Sequence, residues 1–336
     1  RERQWKDVKD APQGPHATWT PGGTSAFGLG TGRLTMDPAI DRRKRVSGPK
    51  QAGEGTDGPS PDGMPFRTLG TFFALAFALT WGIAALLILF PEPVEAAFGP
   101  LGYTNPLFIL AVYAPGLAGL FLVWRHFGLA GLGSFLRRLT LWRLSPAWWG
   151  FLLLGIPALN YLGAAMTGTI TDPFPFSPWY GVLPALAITL AIGPMEEFGW
   201  RGVALPLLQR RYAPLWAGSI LGVIWILWHV PAFLLSGTPQ SAWAFAPFFI
   251  GGVAISIIMT AAFNASRGSL LIAVLFHFQI NNPIWPDALP WAPLTFSVPA
   301  IVVVWLNRKA ILSRTGAATE ILLAPAGERS ESAERT

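Results

Sequence analysis

Eight apolar runs follow one another along this chain with only short polar intervals, at roughly 68–90, 105–124, 147–166, 182–208, 213–235, 243–264, 268–286 and 292–307. A helix of ~20 apolar residues matches the ~30 Å hydrocarbon core of a bilayer. In lipid the backbone polar groups must be satisfied internally, which the i to i−4 bonding of a helix achieves. The expected fold is therefore all-α, a polytopic membrane bundle of about eight transmembrane helices. Composition agrees: 52% of residues are hydrophobic and 12% charged, whereas soluble domains carry about a quarter charged residues.

The charges between the runs test the count, because Lys and Arg collect in cytoplasmic loops. Arg125, Arg137, Arg138 and Arg143 follow the second run, Arg210 and Arg211 the fourth, Arg267 the sixth, and Arg308, Lys309 and Arg314 the eighth. The alternate loops hold Glu92, Glu95, Asp172 and Asp287 and no Lys or Arg. Both termini are thus expected in the cytoplasm of a multi-pass protein. The net charge of +6 is explained by this topology, so no nucleic-acid partner is expected. Membrane lipid is the expected surrounding, with Trp148, Trp149, Trp179, Trp291 and Trp305 near span ends as interface anchors. The chain has no cysteine, which excludes disulfides, thiolate metal sites and a cysteine nucleophile.

Residues 1–64 are of a different kind, rich in Gly, Pro and charge and without apolar periodicity. Such a segment buries too little apolar area to offset the entropy of ordering it and is expected to be disordered. Met64 stands just before the first run, and a start there would leave residues 1–63 outside the native chain. Residues 65–310 form the expected transmembrane domain, and 311–336 a polar C-terminal tail.

Within the expected membrane depth stand Glu196, Glu197, Arg201, His229 and His277. Ionisable groups inside spans are costly and usually face the bundle interior. Glu197 and Arg201 are four apart on one helical face, acid first, and read as a structural ion pair. Glu196 points about 100° away and is left without that partner, so it is the better candidate for proton-transfer chemistry. Pro194 cannot donate to the carbonyl of Leu190, so the helix is expected to open beside it. The freed carbonyl offers Glu196 a bland alternative as a protonated, hydrogen-bonded acid. His229, four residues after Trp225 and two before Pro231, reads as an interhelical hydrogen-bonder or a catalytic group. His277 and Asn281, four apart, can donate to one common point, either as oxyanion stabilisers or as interhelical glue.

Glu196-Glu197-Phe-Gly-Trp-Arg201, Trp225-Ile-Leu-Trp-His229 and His277-Phe-Gln-Ile-Asn281, in this order, resemble the three motifs of the CPBP intramembrane protease family, also called the Abi or type II CAAX prenyl endopeptidase family. The likeness covers roughly 181–285. Trp225 departs from it, since phenylalanine is the commoner residue there. The resemblance implies an intramembrane endopeptidase acting on a peptide or membrane-protein substrate. Glu196 and His229 would activate water, His277 and Asn281 would stabilise the oxyanion, and Glu197 and Arg201 would hold the site together. No cofactor is favoured. Zinc is the alternative, with Glu196, His229 and His277 as ligands, although the His-Glu-x-x-His pattern of many zinc proteases is missing.

Two rivals use the same polar residues: a non-catalytic partner-binding or bacteriocin-immunity protein, and a transporter with the acids as proton carriers. No repeated halves of the kind many transporters show are visible. The excess of Arg over Lys with abundant Ala, Gly and Pro points to a GC-rich bacterial genome, hence to the bacterial cell membrane and away from prenylated proteins as natural substrates. At about 1.5 Å per residue, Glu196 and His229 fall in the outer half of their spans, which sits uneasily with a cytoplasm-facing site.

Overall fold

A computed structural model of the protein describes residues 63–286, 288 and 291–323. The readings made on residues 1–62 and 324–336 lie outside the described residues. Among the described residues there is no strand, and the chain is an integral-membrane bundle of helices. Six helical runs are long and apolar enough to cross a bilayer: α1 Thr68–Leu89, α2 Pro106–Thr140, α3 Pro146–Thr167, α4 Trp179–Gln209, α5 Pro214–Leu234 and α6 Phe245–Ala265. Two shorter apolar helices follow, α7 Leu270–Ile280 and α8 Ser297–Leu306.

Of the about eight helices expected, six are long enough to cross a bilayer and two are short. The eleven residues of α7 rise about 16 Å and the ten of α8 about 15 Å, half the thickness of a hydrocarbon core. The reason for α7 stopping is local. Pro283 has no N–H and disfavours helical backbone in the residue before it, and the chain turns from Asn281 onward. The second run also differs from its expected end at 124, because helix continues to Leu136 through a kink at Gly128, where φ is +64°. That positive φ suits glycine.

Some helix starts are set by side-chain caps. Asn105 accepts from the N–H groups of Leu107 and Phe108 ahead of α2, and Ser269 accepts from Ile272 N–H ahead of α7. Each satisfies donors that have no partner within the helix. The outward faces carry Leu75, Leu86, Leu154, Leu183, Ile301 and Trp305, all exposed, as lipid contact requires.

The basic ends of the helices meet at one face. Arg138, buried between the rings of Phe135 and Phe263, donates from Nε to the carbonyl of Gly268 at 2.8 Å and from Nη1 to those of Gly202 and Ile321 at 2.9 and 3.1 Å. Arg210 donates to the carbonyls of Met64 and Thr319, and Arg314 donates to the carbonyl of Arg210. Gln209 and Asn264 exchange amide hydrogen bonds, and Ala318 N–H is held by Asn264 Oδ1. The entry to α1, the exits of α2, α4 and α6 and the segment after α8 therefore share this end.

Close approach of α2 to α4 sets the depth of the next feature. A Cβ on Gly199 would lie 2.1 Å from the carbonyl oxygen of Pro115, and one on Gly116 would lie 2.4 Å from that of Met195. Both contacts are with backbone, which cannot swing away. Gly199→Ala is expected to abolish the monodisperse folded protein in detergent, read by size-exclusion chromatography.

Candidate active site

α4 is irregular where its charges sit. The regular helix ends at Ile192, residues 193–196 form a 3-10 turn, and 200–204 form a π turn. Pro194 accounts for the break, since it removes one helical donor. Tyr113 from α2 donates its hydroxyl to the carbonyl of Ala191 at 2.9 Å, which satisfies an acceptor at the opening. Such local 3-10 and π turns, with partners from neighbouring helices, let proline persist within a membrane helix.

Glu196, Glu197 and Arg201 are all buried. Arg201 Nη1 donates to Glu197 Oε1 at 3.2 Å, and the same oxygen accepts from His277 Nδ1 at 2.7 Å. The carboxylate of Glu197 thus ties α4 to α7 and neutralises the guanidinium. Arg201 also lies over the Trp225 ring, 4.8 Å from its centroid, where the ring face attracts a cation.

Glu196 has a different partner. Trp225 Nε1 donates to Glu196 Oε2 at 2.8 Å, so the bond comes from an indole rather than from the acid itself to an opened carbonyl. Trp225 also sits edge-on to His229 and to His277, at 5.4 and 5.8 Å between centroids. Trp225, at which this chain departs from the motif it resembles, thus contacts Glu196, Arg201, His229 and His277. Its role as a donor escaped the sequence reading, although a tryptophan where phenylalanine is usual was the visible signal.

His229 ends the regular part of α5, and Val230–Leu234 continue as a 3-10 turn. Its Nδ1 donates to the carbonyl of Trp225 at 2.8 Å, since a carbonyl can only accept. That fixes the tautomer and leaves Nε2 as the working nitrogen. Trp228 and Phe248 flank the ring edge-on. Behind it, Trp228 Nε1 donates to Thr80 Oγ1, whose hydroxyl donates to the carbonyl of Ala111.

His277 is buried near the end of α7, and Asn281 is the first residue beyond it, its N–H still bonded to the carbonyl of His277. Both converge on Gly193. A Cβ built there would lie 3.2 Å from His277 Nε2 and 3.4 Å from Asn281 Nδ2. The two side-chain nitrogens therefore address one point beside a residue that leaves it open.

Glu196, His229, Asn281 and Gly193 line one cavity of about 340 Å³. The fit to zinc fails on the donor set: among the described residues, no three His, Asp or Glu side chains gather so as to hold a metal ion. Glu196, His229 and His277 share Trp225 between them instead of one centre.

Residues 178–282 match the sequence model of a family described as type II CAAX prenyl endopeptidase Rce1-like. The chain is also 33% identical over 136 residues to CAAX prenyl protease 2 of Methanococcus maripaludis, an overlap covering 39% of this chain and 48% of that protein. The chain thus spans about half the length of the curated relative it matches. With Glu196, His229 and Asn281 of that segment lining one cavity and Glu197 bonded to His277, the chain is similar over residues 178–282 to the Rce1-like type II CAAX prenyl endopeptidase family.

Proposed function

We propose that this protein is an intramembrane endopeptidase that hydrolyses a peptide bond of a membrane-associated protein or peptide. The observation that carries the reading is the convergence of His277 Nε2 and Asn281 Nδ2 beside Gly193, which lines the same cavity as Glu196 and His229. The family match and the likeness to a CAAX prenyl protease support peptide hydrolysis as the reaction class.

In this reading the scissile carbonyl oxygen occupies the point between His277 and Asn281. The Asn281 amide donates to that oxygen, and His277, held through Nδ1 by Glu197, turns Nε2 toward it. Aimed donors of this kind stabilise the charge that develops on the oxygen. Glu196 takes a proton from water as the water oxygen bonds to the carbonyl carbon. His229, oriented through its bond to the Trp225 carbonyl, helps to hold and polarise that water through Nε2. The proton taken by Glu196 passes to the departing amine as the C–N bond breaks, which leaves a free carboxylic acid and an amine. Arg201 neutralises Glu197 and keeps the cluster assembled.

Gly193→Ala tests this assignment without removing any functional group. The added methyl would sit 3.2 Å from His277 Nε2 and 3.4 Å from Asn281 Nδ2, on the proposed oxygen position. Purified wild type is expected to cleave members of a library of labelled neutral peptides in detergent. Gly193→Ala is expected to lose about 10²-fold in rate, the scale of one oxyanion donor, with unchanged thermal stability. Wild type that cleaves no peptide, or a variant of undiminished rate, would contradict the reading.

A further inference from the structure

The cavity lies toward the end of the bundle away from the basic loops. Its lining comes from the last turns of α1 around Ala84 and Leu87, the entry to α2 at Tyr103 and Phe108, the end of α5 with the loop through Gln240, and the turn after α7. Each of these lies at the far end of its helix from Arg138, Arg210, Arg267 and Arg308. The length of α7 makes room for it. Starting at the basic end, where Gly268 is held by Arg138, α7 stops about 16 Å in, and the space beyond is cavity.

The opposite route is filled. Trp200, Val203, Leu205 and Leu207, on the part of α4 that runs on to the basic end, are each fully buried, as are Phe135 and Phe276 around them. Gln209 and Arg210 then fasten the segment around Ala318 across that end.

The lining chemistry is equally specific. Apart from Glu196 and His229, no charged side chain lines the cavity among the described residues. Its polar groups are neutral, Thr80, Asn160, Thr189, Thr238, Gln240 and Asn282 among them. A charged substrate side chain would lose hydration there with only Glu196 and His229, which the proposed reaction uses, to pair with, which is costly, whereas apolar side chains and backbone amides find partners.

We infer that the substrate enters from the face opposite the basic loops, the extracytoplasmic side by the distribution of Lys and Arg, as an extended segment free of charged side chains. The partner is accordingly a membrane protein or apolar peptide whose uncharged stretch is presented on that side. The substrate part of this inference rests on the endopeptidase reading above; the side on which the cavity lies does not.

The absence of cysteine makes the test clean. Single substitutions Gln240→Cys, in the cavity wall, and Thr315→Cys, exposed beside Arg314, are treated with a membrane-impermeant maleimide on intact cells and on inverted vesicles. Gln240→Cys is expected to react on intact cells and Thr315→Cys only in inverted vesicles. Reaction of Gln240→Cys only in inverted vesicles, or on neither side, would overturn the inference. The substrate chemistry is read on the same cysteine: acetyl-Ala-Leu-Phe-Ala-Val-amide is expected to slow its labelling by about tenfold or more, and the same peptide with Lys for Phe is not, given the cost of burying an unpaired charge. Equal slowing by both, or slowing by neither, would overturn the claim about charge. Labelling requires no turnover, so failure of the endopeptidase reading would appear separately, as absence of cleavage with the labelling pattern intact.

Discussion

Glu196→Gln is expected to remove cleavage while leaving the protein folded. The amide is nearly isosteric with the acid, and its oxygen can still accept from Trp225 Nε1, now 2.8 Å from Oε2. The surrounding bundle therefore keeps its hydrogen bond and its packing. What is lost is the ability to take and return a proton, a contribution of about 10²–10⁴ in rate for a general acid-base group. Initial rates on a single cleaved peptide, with enzyme concentration set by folded monodisperse protein, would show it. If the variant keeps the wild-type rate, Glu196 is not the base.

Glu197→Gln should fail in the other way. Glu197 Oε1 accepts from both Arg201 and His277, and neither Glu197 nor Arg201 is exposed. Removing one partner of a buried ion pair leaves the other charge uncompensated, at a cost of about 3–5 kcal/mol. The cation-aromatic contact of Arg201 with Trp225 remains but supplies only about 2 kcal/mol even when desolvated. The variant is expected to lose its folded form at a markedly lower temperature, measured as the fraction surviving heating before size-exclusion chromatography. An unchanged melting temperature would mean that the pair is not a structural clamp. Arg201→Met combined with Glu197→Met removes both charges together and is expected to recover part of the loss, because no unpaired charge then remains.

How far the site can be read from sequence depends on how far apart its members are along the chain. Lipid forces apolar helices into long uninterrupted runs, so all eight helical segments are visible, and Pro194 marks the break in α4 directly. The i,i+4 geometry of Glu197 and Arg201 and of His277 and Asn281 follows from helix periodicity alone, even though Asn281 lies one residue past the end of α7. The bond from His277 to Glu197 joins positions 80 residues apart and that from Trp225 to Glu196 joins positions 29 apart. Those depend on the register of one helix against another, which no local pattern encodes. The same holds for Gly193, an unremarkable glycine in sequence whose missing Cβ is what leaves room between two donors. The shortness of α7 has a local sign, since Asn281, Asn282 and Pro283 end the helix while apolar residues continue beyond it.

The central claim is that two adjacent glutamates do different work, Glu196 in the chemistry and Glu197 in the framework. Its most direct test measures two quantities, melting temperature and cleavage rate per folded molecule, on wild type, Glu196→Gln and Glu197→Gln side by side. The expected result is a separation: Glu196→Gln melts like wild type and does not cleave, whereas Glu197→Gln melts early. Glu196→Gln that cleaves like wild type, or that melts as early as Glu197→Gln, would contradict the division of roles and return Glu196 to the framework.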